Sequence, residues 1–131
     1  MSLTKITILC CHYTNEAGEE DFAGIPACIE VRRFPCSGKI EVVDILRAFL
    51  DEAEAVLVAV CEKNKCHNQV GNLRAEKRVS LTQSLLAEIG LEPQRLRLAW
   101  IPRLDTGALV EEVKNMYEVL VDILSQKGDT K

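Results

Sequence analysis

The sequence predicts an α/β fold: a single domain in which a parallel four-stranded sheet carries helices on both faces. Two observations support this prediction. Short apolar runs rich in β-branched residues alternate four times with amphipathic or polar stretches, as in chains whose parallel strands are joined by helices. The length of 131 residues, with 47% hydrophobic and 27% charged residues, suits one soluble core.

Four apolar runs are predicted to form the strands. They cover residues 5–10, 27–34, 55–60 and 96–101. The third run, AVLVAV, contains no polar residue, which is typical of a strand buried on both faces of a parallel sheet.

The spacing of apolar residues between the strands predicts helices. A helix over 41–53 has an apolar face made of Val42, Ile45, Leu46, Phe49, Leu50 and Ala53. A helix over 72–89, ended by Gly90, has an apolar face made of Leu81, Leu85, Leu86 and Ile89. A last helix, capped by Asp105, has an apolar face made of Leu109, Val113, Met116, Tyr117, Leu120 and Leu124. In the polar segment 12–24, Asn15 is a candidate cap for a short helix.

Strands alternating with helices in this way are typical of flavodoxin-like and Rossmann-like folds. We therefore expect one domain over 1–131, with its core in 4–125 and a polar tail at 126–131.

Charge and hydropathy exclude several classes of partner. The net charge of −4 argues against nucleic acid, and the longest apolar run, 55–61, is far too short to insert into a membrane. The N-terminus lacks the apolar region of a signal peptide, so we expect a cytoplasmic protein. In that compartment the six cysteines are thiols, metal ligands or redox groups rather than structural disulfides.

Five of the six cysteines fall at or just beyond the carboxyl ends of predicted strands. They are Cys10, Cys11, Cys36, Cys61 and Cys66. Because the carboxyl ends of parallel strands share one edge of the sheet, where ligands bind in such folds, these cysteines should converge. Cys28 begins the second strand, roughly 26 Å from Cys36, and we expect it at the opposite edge or in the core, as a small buried side chain.

Four of the converging cysteines form a candidate metal centre: Cys11, Cys36, Cys61 and Cys66. Adjacent strand residues point to opposite faces, so Cys11 is the expected ligand and Cys10 a core residue. The spacing, one C-x4-C pair and two distant cysteines, differs from the C-x2-C pairs typical of structural zinc sites. It favours an iron–sulfur cluster over zinc. Spacing alone leaves open a cluster, zinc, a redox pair of Cys61 and Cys66, and inert core thiols.

Neighbouring residues add little to this choice. Basic residues flank the cysteine loops and would lower thiol pKa values, but Lys77 and Arg78 are equally well explained as a solvated helix face. Trp100, near the end of the fourth strand, either shields the site or packs in the core. The sequence has no G-x-G-x-x-G or P-loop motif for nucleotides, and no G-x-S-x-G or H-E-x-x-H motif of hydrolases.

Several motifs together resemble a known family. They are Ala17-Gly18 with Asp21-Phe22-Ala23-Gly24, Cys36-Ser37-Gly38-Lys39, Cys61-x4-Cys66-His67, GNLRAEKRV over 71–79 and EPQRLRLAWI over 92–101. Over nearly its whole length the chain resembles the delta subunit of methyl-viologen-reducing hydrogenase, the small iron–sulfur subunit that associates with heterodisulfide reductase A.

The resemblance implies a non-catalytic electron-transfer subunit of an oxidoreductase complex in anaerobic metabolism. It implies one [2Fe–2S] cluster, for which Cys11, Cys36, Cys61 and Cys66 are the available ligands. The protein would relay electrons between a hydrogenase-like or other donor subunit and a heterodisulfide reductase A-like flavoprotein, within a hetero-oligomeric complex.

One position departs from the family pattern. The family commonly has C-N-W-C near the first strand, whereas this chain has Cys11-His12-Tyr13-Thr14, so Thr14 stands where the second cysteine would be. If the family cluster depends on that cysteine, the resemblance implies either that Cys10 is a substitute ligand or that the cluster has been lost. The alternative function is therefore a docking subunit of the same kind of complex that has lost its cluster.

Overall fold

The computed structural model describes residues 4–11, 19–35, 39–61, 69–101 and 105–129. Its strands are β1 (Lys5–Cys11), β2 (Cys28–Phe34), β3 (Ala55–Cys61) and β4 (Leu96–Ile101). Its helices are α1 (Val42–Leu50), α2 (Gln69–Glu88) and α3 (Thr106–Asp129), with short 3-10 turns at Glu19–Phe22 and Pro93–Arg95. The predicted cap Asn15 lies outside the described residues.

The four strands form one parallel sheet in the order β2-β1-β3-β4, which confirms the predicted fold class. This order is that of the first four strands of a flavodoxin-like sheet. It places β1 and β3 in the centre, where every side chain described from residue 55 to 60 is fully buried. The unbroken apolar run of β3 is explained by this burial on both faces.

Helices cover both faces of the sheet, as predicted. On one face, alternate residues of β1 pack with α3; this cluster includes Ile6, Ile8, Cys10, Leu109, Val113, Met116 and Leu120. On the other face, the strands pack with α1 and α2; this cluster includes Leu9, Val56, Val58, Ile45, Ala75, Val79 and Leu86. In the part of the chain that the structure describes, no helix is both long and apolar enough to pass through a bilayer.

Helix α3 follows its predicted pattern. Leu109, Val113, Met116 and Leu120 are buried, and Tyr117 and Leu124 pack against them partly buried. Asp105 caps the helix, because its Oδ1 accepts a hydrogen bond of 2.9 Å from the Ala108 N–H.

Helix α1 is shorter than predicted, and the prediction that Leu50 lies on its buried face is wrong. Leu50 is 83% exposed, whereas Ile45 and Ala48 are buried. The helix ends at Leu50 and the chain turns through Glu52, whose φ of 75° lies in the left-handed region. Leu50 is therefore left at the outer side of the last turn.

Helix α2 buries a different stripe from the one predicted. Leu86 is buried, but Leu81 is 54% and Ile89 69% exposed. The buried stripe consists of Ala75, Val79, Thr82 and Leu86, at helical spacings of three and four. Thr82 occupies a core position because its hydroxyl donates to the Arg78 carbonyl at 2.7 Å, which satisfies it locally.

Leu86 and Leu81 provide a matched test of this face. We expect Leu86→Ala to lower the free energy of unfolding of the reduced, metal-free protein by about 3 kcal/mol, because it leaves a cavity against the sheet. Leu81→Ala removes the same atoms from a largely exposed site and should cost less than about 1 kcal/mol. Urea unfolding followed by circular dichroism measures both, and equal losses would contradict the observed orientation of α2.

Candidate metal centre

Two predicted ligands lie at the ends of neighbouring central strands. Cys11 is the last residue of β1 and Cys61 the last of β3. The two strands pair directly, with Cys10 opposite Ala59, so the ends lie within one residue of the same level. Neighbouring strands are about 4.8 Å apart, so the two strand ends lie next to each other at this edge of the sheet. The edge between β1 and β3 is also where the strand order reverses, the usual ligand site of this fold.

The third and fourth predicted ligands follow these strands closely in sequence. Phe34, the last residue of β2, is the register partner of Cys11. Cys36 follows two residues later, within about 7 Å of Phe34 along the chain. Cys66 comes five residues after Cys61. Cys36 and Cys66 themselves lie outside the described residues, so their convergence with Cys11 and Cys61 stays a prediction.

Cys10 is a core residue, as predicted. It is fully buried on the α3 side of the sheet. The Nη1 of Arg33, which lies opposite Cys10 on β2, is 3.9 Å from its Sγ. Its use as a substitute ligand stays a prediction.

Arg32 and Arg33, which both precede Cys36, have different surroundings. Arg32 donates to Glu30 and to Asp51, each at 2.8 Å, and the bond to Asp51 is the main cause that raises the pKa of Arg32 above its usual value. Its charge is therefore balanced by two carboxylates, one within β2 and one just before the amino end of β3. Arg33 instead places its guanidinium beside a thiol near the carboxyl edge.

Cys28 lies at the opposite, amino edge of the sheet, as expected, but the prediction of a small buried side chain is wrong. It is exposed at the first position of β2. β2 is an edge strand of the sheet, and among the described residues no further strand lies beside it.

The amino edge holds charged residues with structural roles. An open cavity of about 770 Å³ there is lined by Cys28, Lys5 and Arg95, among others. Arg95 is only 6% exposed and donates to the Glu54 carbonyl and carboxylate at 3.0 Å and to Glu92 at 2.7 Å. Lys5 donates to the Asp51 carbonyl at 2.9 Å. Both cations thus tie loops together at the edge away from the predicted ligands.

Arg78 and Lys77, next to each other on α2, differ in environment. Lys77 is exposed, as on a solvated face. Arg78 is partly buried, and its Nη1 donates to the Ile40 carbonyl at 3.0 Å. Its Nη2 lies 3.3 Å from Oε1 of Glu41. Sequence reasoning missed this role, because one arginine on an amphipathic helix carries no signal that separates a buried contact from a solvated one. Trp100 packs, partly buried, against the α1 and α2 side of the core.

The donor set fits an iron–sulfur cluster in its chemistry. Cysteine thiolates are the usual ligands of such clusters, and Cys11 and Cys61 bring two of them to adjacent strand ends. Among the side chains that the structure describes, no three histidine, cysteine or acidic residues gather into a metal-binding group. The side chains of the four predicted ligands are not among those described.

Comparison with known proteins identifies the family. The sequence matches the family described as methyl-viologen-reducing hydrogenase, delta subunit (FlpD), over residues 6–123. The chain belongs to the FlpD family. This confirms the resemblance found in the motifs.

Similar proteins fall into two groups. The vhu iron-sulfur subunit of the F420-non-reducing hydrogenase of Methanopyrus kandleri is 32% identical over 123 residues, covering 90% of this chain and 93% of that protein. The protein of the same name from Methanococcus maripaludis is 37% identical over 109 residues, covering 79% and 81%. The A component of the Ferredoxin:CoB-CoM heterodisulfide reductase of Methanosarcina mazei is 37% identical over 98 residues, 72% of this chain but 12% of that protein. The FlpD-like segment thus occurs both as a separate subunit and as a part of a larger chain.

Chemical labelling of Cys28 and Cys10 tests the exposure of the first and the burial of the second. In the folded, metal-free protein we expect a maleimide to modify Cys28 rapidly, because it is exposed. Cys10 should react slower by about two orders of magnitude or more, since reaction requires opening of the core. Peptide mass spectrometry after timed labelling measures both rates. Comparable rates in the folded protein would contradict the packing of β1 against α3.

Proposed function

We propose that this protein is an electron-transfer subunit of a cytoplasmic oxidoreductase complex and holds one [2Fe–2S] cluster on Cys11, Cys36, Cys61 and Cys66. The observation that supports it most is the placement of Cys11 and Cys61 at the ends of paired central strands. The family, and the names of its relatives as iron-sulfur subunits, support the same cofactor class.

The proposed role of the chain is to hold and orient, without making or breaking bonds in a substrate. A bound [2Fe–2S] cluster accepts and releases one electron. Strands β1 and β3 fix two ligands rigidly, because their side chains are closely packed on both faces. Helices α1 and α2 each follow a strand that ends at this edge, so their positive amino ends favour a site rich in thiolates.

The proposed partners are a heterodisulfide reductase A-like flavoprotein and an electron-donor subunit. In Methanosarcina mazei a segment similar to 72% of this chain belongs to the A component of a heterodisulfide reductase. A separate chain of the same family would reach such a flavoprotein by non-covalent docking. The relatives named as subunits of F420-non-reducing hydrogenase support a hydrogenase-like donor.

The second candidate function is a cluster-free docking subunit of the same kind of complex. Thr14 favours it, because it replaces a cysteine common in the family. The two functions differ in one measurable property, the iron content of the isolated chain.

Cysteine variants test the ligand assignment. In protein purified without oxygen we expect about two iron and two acid-labile sulfide per chain, the composition of a [2Fe–2S] cluster, and colour that bleaches with dithionite. Cys36→Ser and Cys61→Ser should each lose most of the iron, because a hard oxygen replaces a thiolate ligand. Cys28→Ser is the matched control and should keep it, because Cys28 lies at the opposite edge.

Three other results would decide against parts of this proposal. A colourless wild-type protein without iron favours the docking subunit. Zinc in place of iron supports the site but not the cluster. Full iron content in Cys36→Ser and Cys61→Ser would refute the ligand assignment.

The proposed electron relay can be tested with a purified heterodisulfide reductase A-like flavoprotein. When the reduced wild-type chain is mixed with it, we expect the flavin absorbance to fall in stopped-flow measurements. Cys61→Ser, which we expect to lack the cluster, is treated with the same reductant and freed of its excess, and it should then leave the flavin oxidised. Binding of both proteins without flavin reduction by the wild type would support docking but refute the relay.

A further inference from the structure

Arg78 connects two segments that each follow a predicted cysteine ligand. It lies on α2, which begins at Gln69, three residues after Cys66. Its Nη1 donates to the Ile40 carbonyl at 3.0 Å, four residues after Cys36. Its Nη2 lies 3.3 Å from Oε1 of Glu41, the residue that caps the start of α1.

We propose that Arg78 is a positioning residue, which holds the segment after Cys36 against α2 and so fixes the Cys36 and Cys61–Cys66 loops relative to each other. This inference rests on the proposed function, since its consequence is the geometry of the bound cluster. It goes beyond that function by assigning a role to a residue that is not a ligand.

Only short lengths of chain separate the Arg78–Ile40 contact from the two cysteine loops. Ile40 is 1% exposed and anchored in the core, and its contact with Arg78 is made by the backbone. Cys36 is four residues earlier, at most about 14 Å of extended chain. On the other side, α2 extends nine residues from Arg78 back to Gln69, about 14 Å of rigid helix. The contact therefore joins the described segments that follow the two loops in the chain.

An arginine suits this contact for a geometric reason. The Ile40 carbonyl precedes the cap of α1 and needs a partner, because buried backbone oxygens are rarely left without one. The planar guanidinium reaches that carbonyl and the Glu41 carboxylate together through two different nitrogens. A lysine at this position would keep the charge but supply a single donor atom.

Variants of Arg78 test the proposal in anaerobically loaded protein. Arg78→Met removes both contacts, and we expect the cluster to be lost to EDTA about tenfold faster or more, the effect typical of residues that orient metal ligands. Arg78→Lys should show a smaller acceleration. The reduced clusters of both variants should also have altered electron paramagnetic resonance spectra, which a loss of stability alone would not produce.

Two controls separate this role from charge and from stability. Arg47→Met makes the same chemical change at an exposed position in the last turn of α1, far from the carboxyl edge, and should leave the rate and spectrum unchanged. Leu86→Ala should lower the melting temperature without altering the spectrum or, well below that temperature, the rate of cluster loss.

The outcomes distinguish the two proposals. A wild-type rate and spectrum in Arg78→Met would overturn the positioning role while leaving the electron carrier intact. If Arg78→Met does not fold, Arg78→Lys decides in the same way. A wild-type protein that binds no iron would refute the proposed function, and the positioning role with it.

Discussion

The structure depends above all on the burial of the central strand pair, β1 and β3. Their side chains are closed off by α3 on one face and by α1 and α2 on the other. Such packing leaves little room for the strands to slide, because a shift of one residue would exchange the two faces. The register that places Cys10 opposite Ala59 is thus set by the core, and the last residues of both strands are fixed with it. The position of a site at this edge is therefore fixed by the packed core rather than by the loops around it.

The fold could be predicted from the sequence because its strongest signals are the ones that burial imposes. The apolar run at 55–60 and the alternation of strands with helices gave the sheet and its parallel direction. Leu50 was misassigned because α1 ends there, whereas Leu81 and Ile89 were misassigned for a different reason. Periodicity identifies an apolar stripe only when large apolar residues compose it, and α2 builds its buried stripe partly from an alanine and a threonine. A threonine that satisfies its hydroxyl within the helix cannot be told from a surface residue by its type.

Only part of the candidate site could be predicted from the sequence. Strand ends in a parallel sheet share an edge whatever the loops do, so Cys11 and Cys61 could be placed from the strand boundaries alone. The exposure of Cys28 depends on β2 being an edge strand, and the strand order does not follow from the local sequence. Contacts between distant segments, such as that of Arg78 with Ile40, produce no periodic pattern in the sequence from which they could be predicted.

The two edges of the sheet use cationic side chains differently, and this difference bears on function. At the amino edge, Arg95 is surrounded by carboxylate and carbonyl oxygens, and Arg32 is bound to Glu30 and Asp51. These contacts join loops, and they neutralise the charges locally. Toward the carboxyl edge, Arg33 faces the Cys10 thiol, and Arg78 directs one nitrogen at the Ile40 carbonyl and the other at the Glu41 carboxylate. The Arg33 guanidinium and the amino ends of α1 and α2 are positive groups near this edge, and such groups offset the negative charge of thiolate ligands. The charge distribution and the strand register are independent properties of the chain, and both favour the same edge.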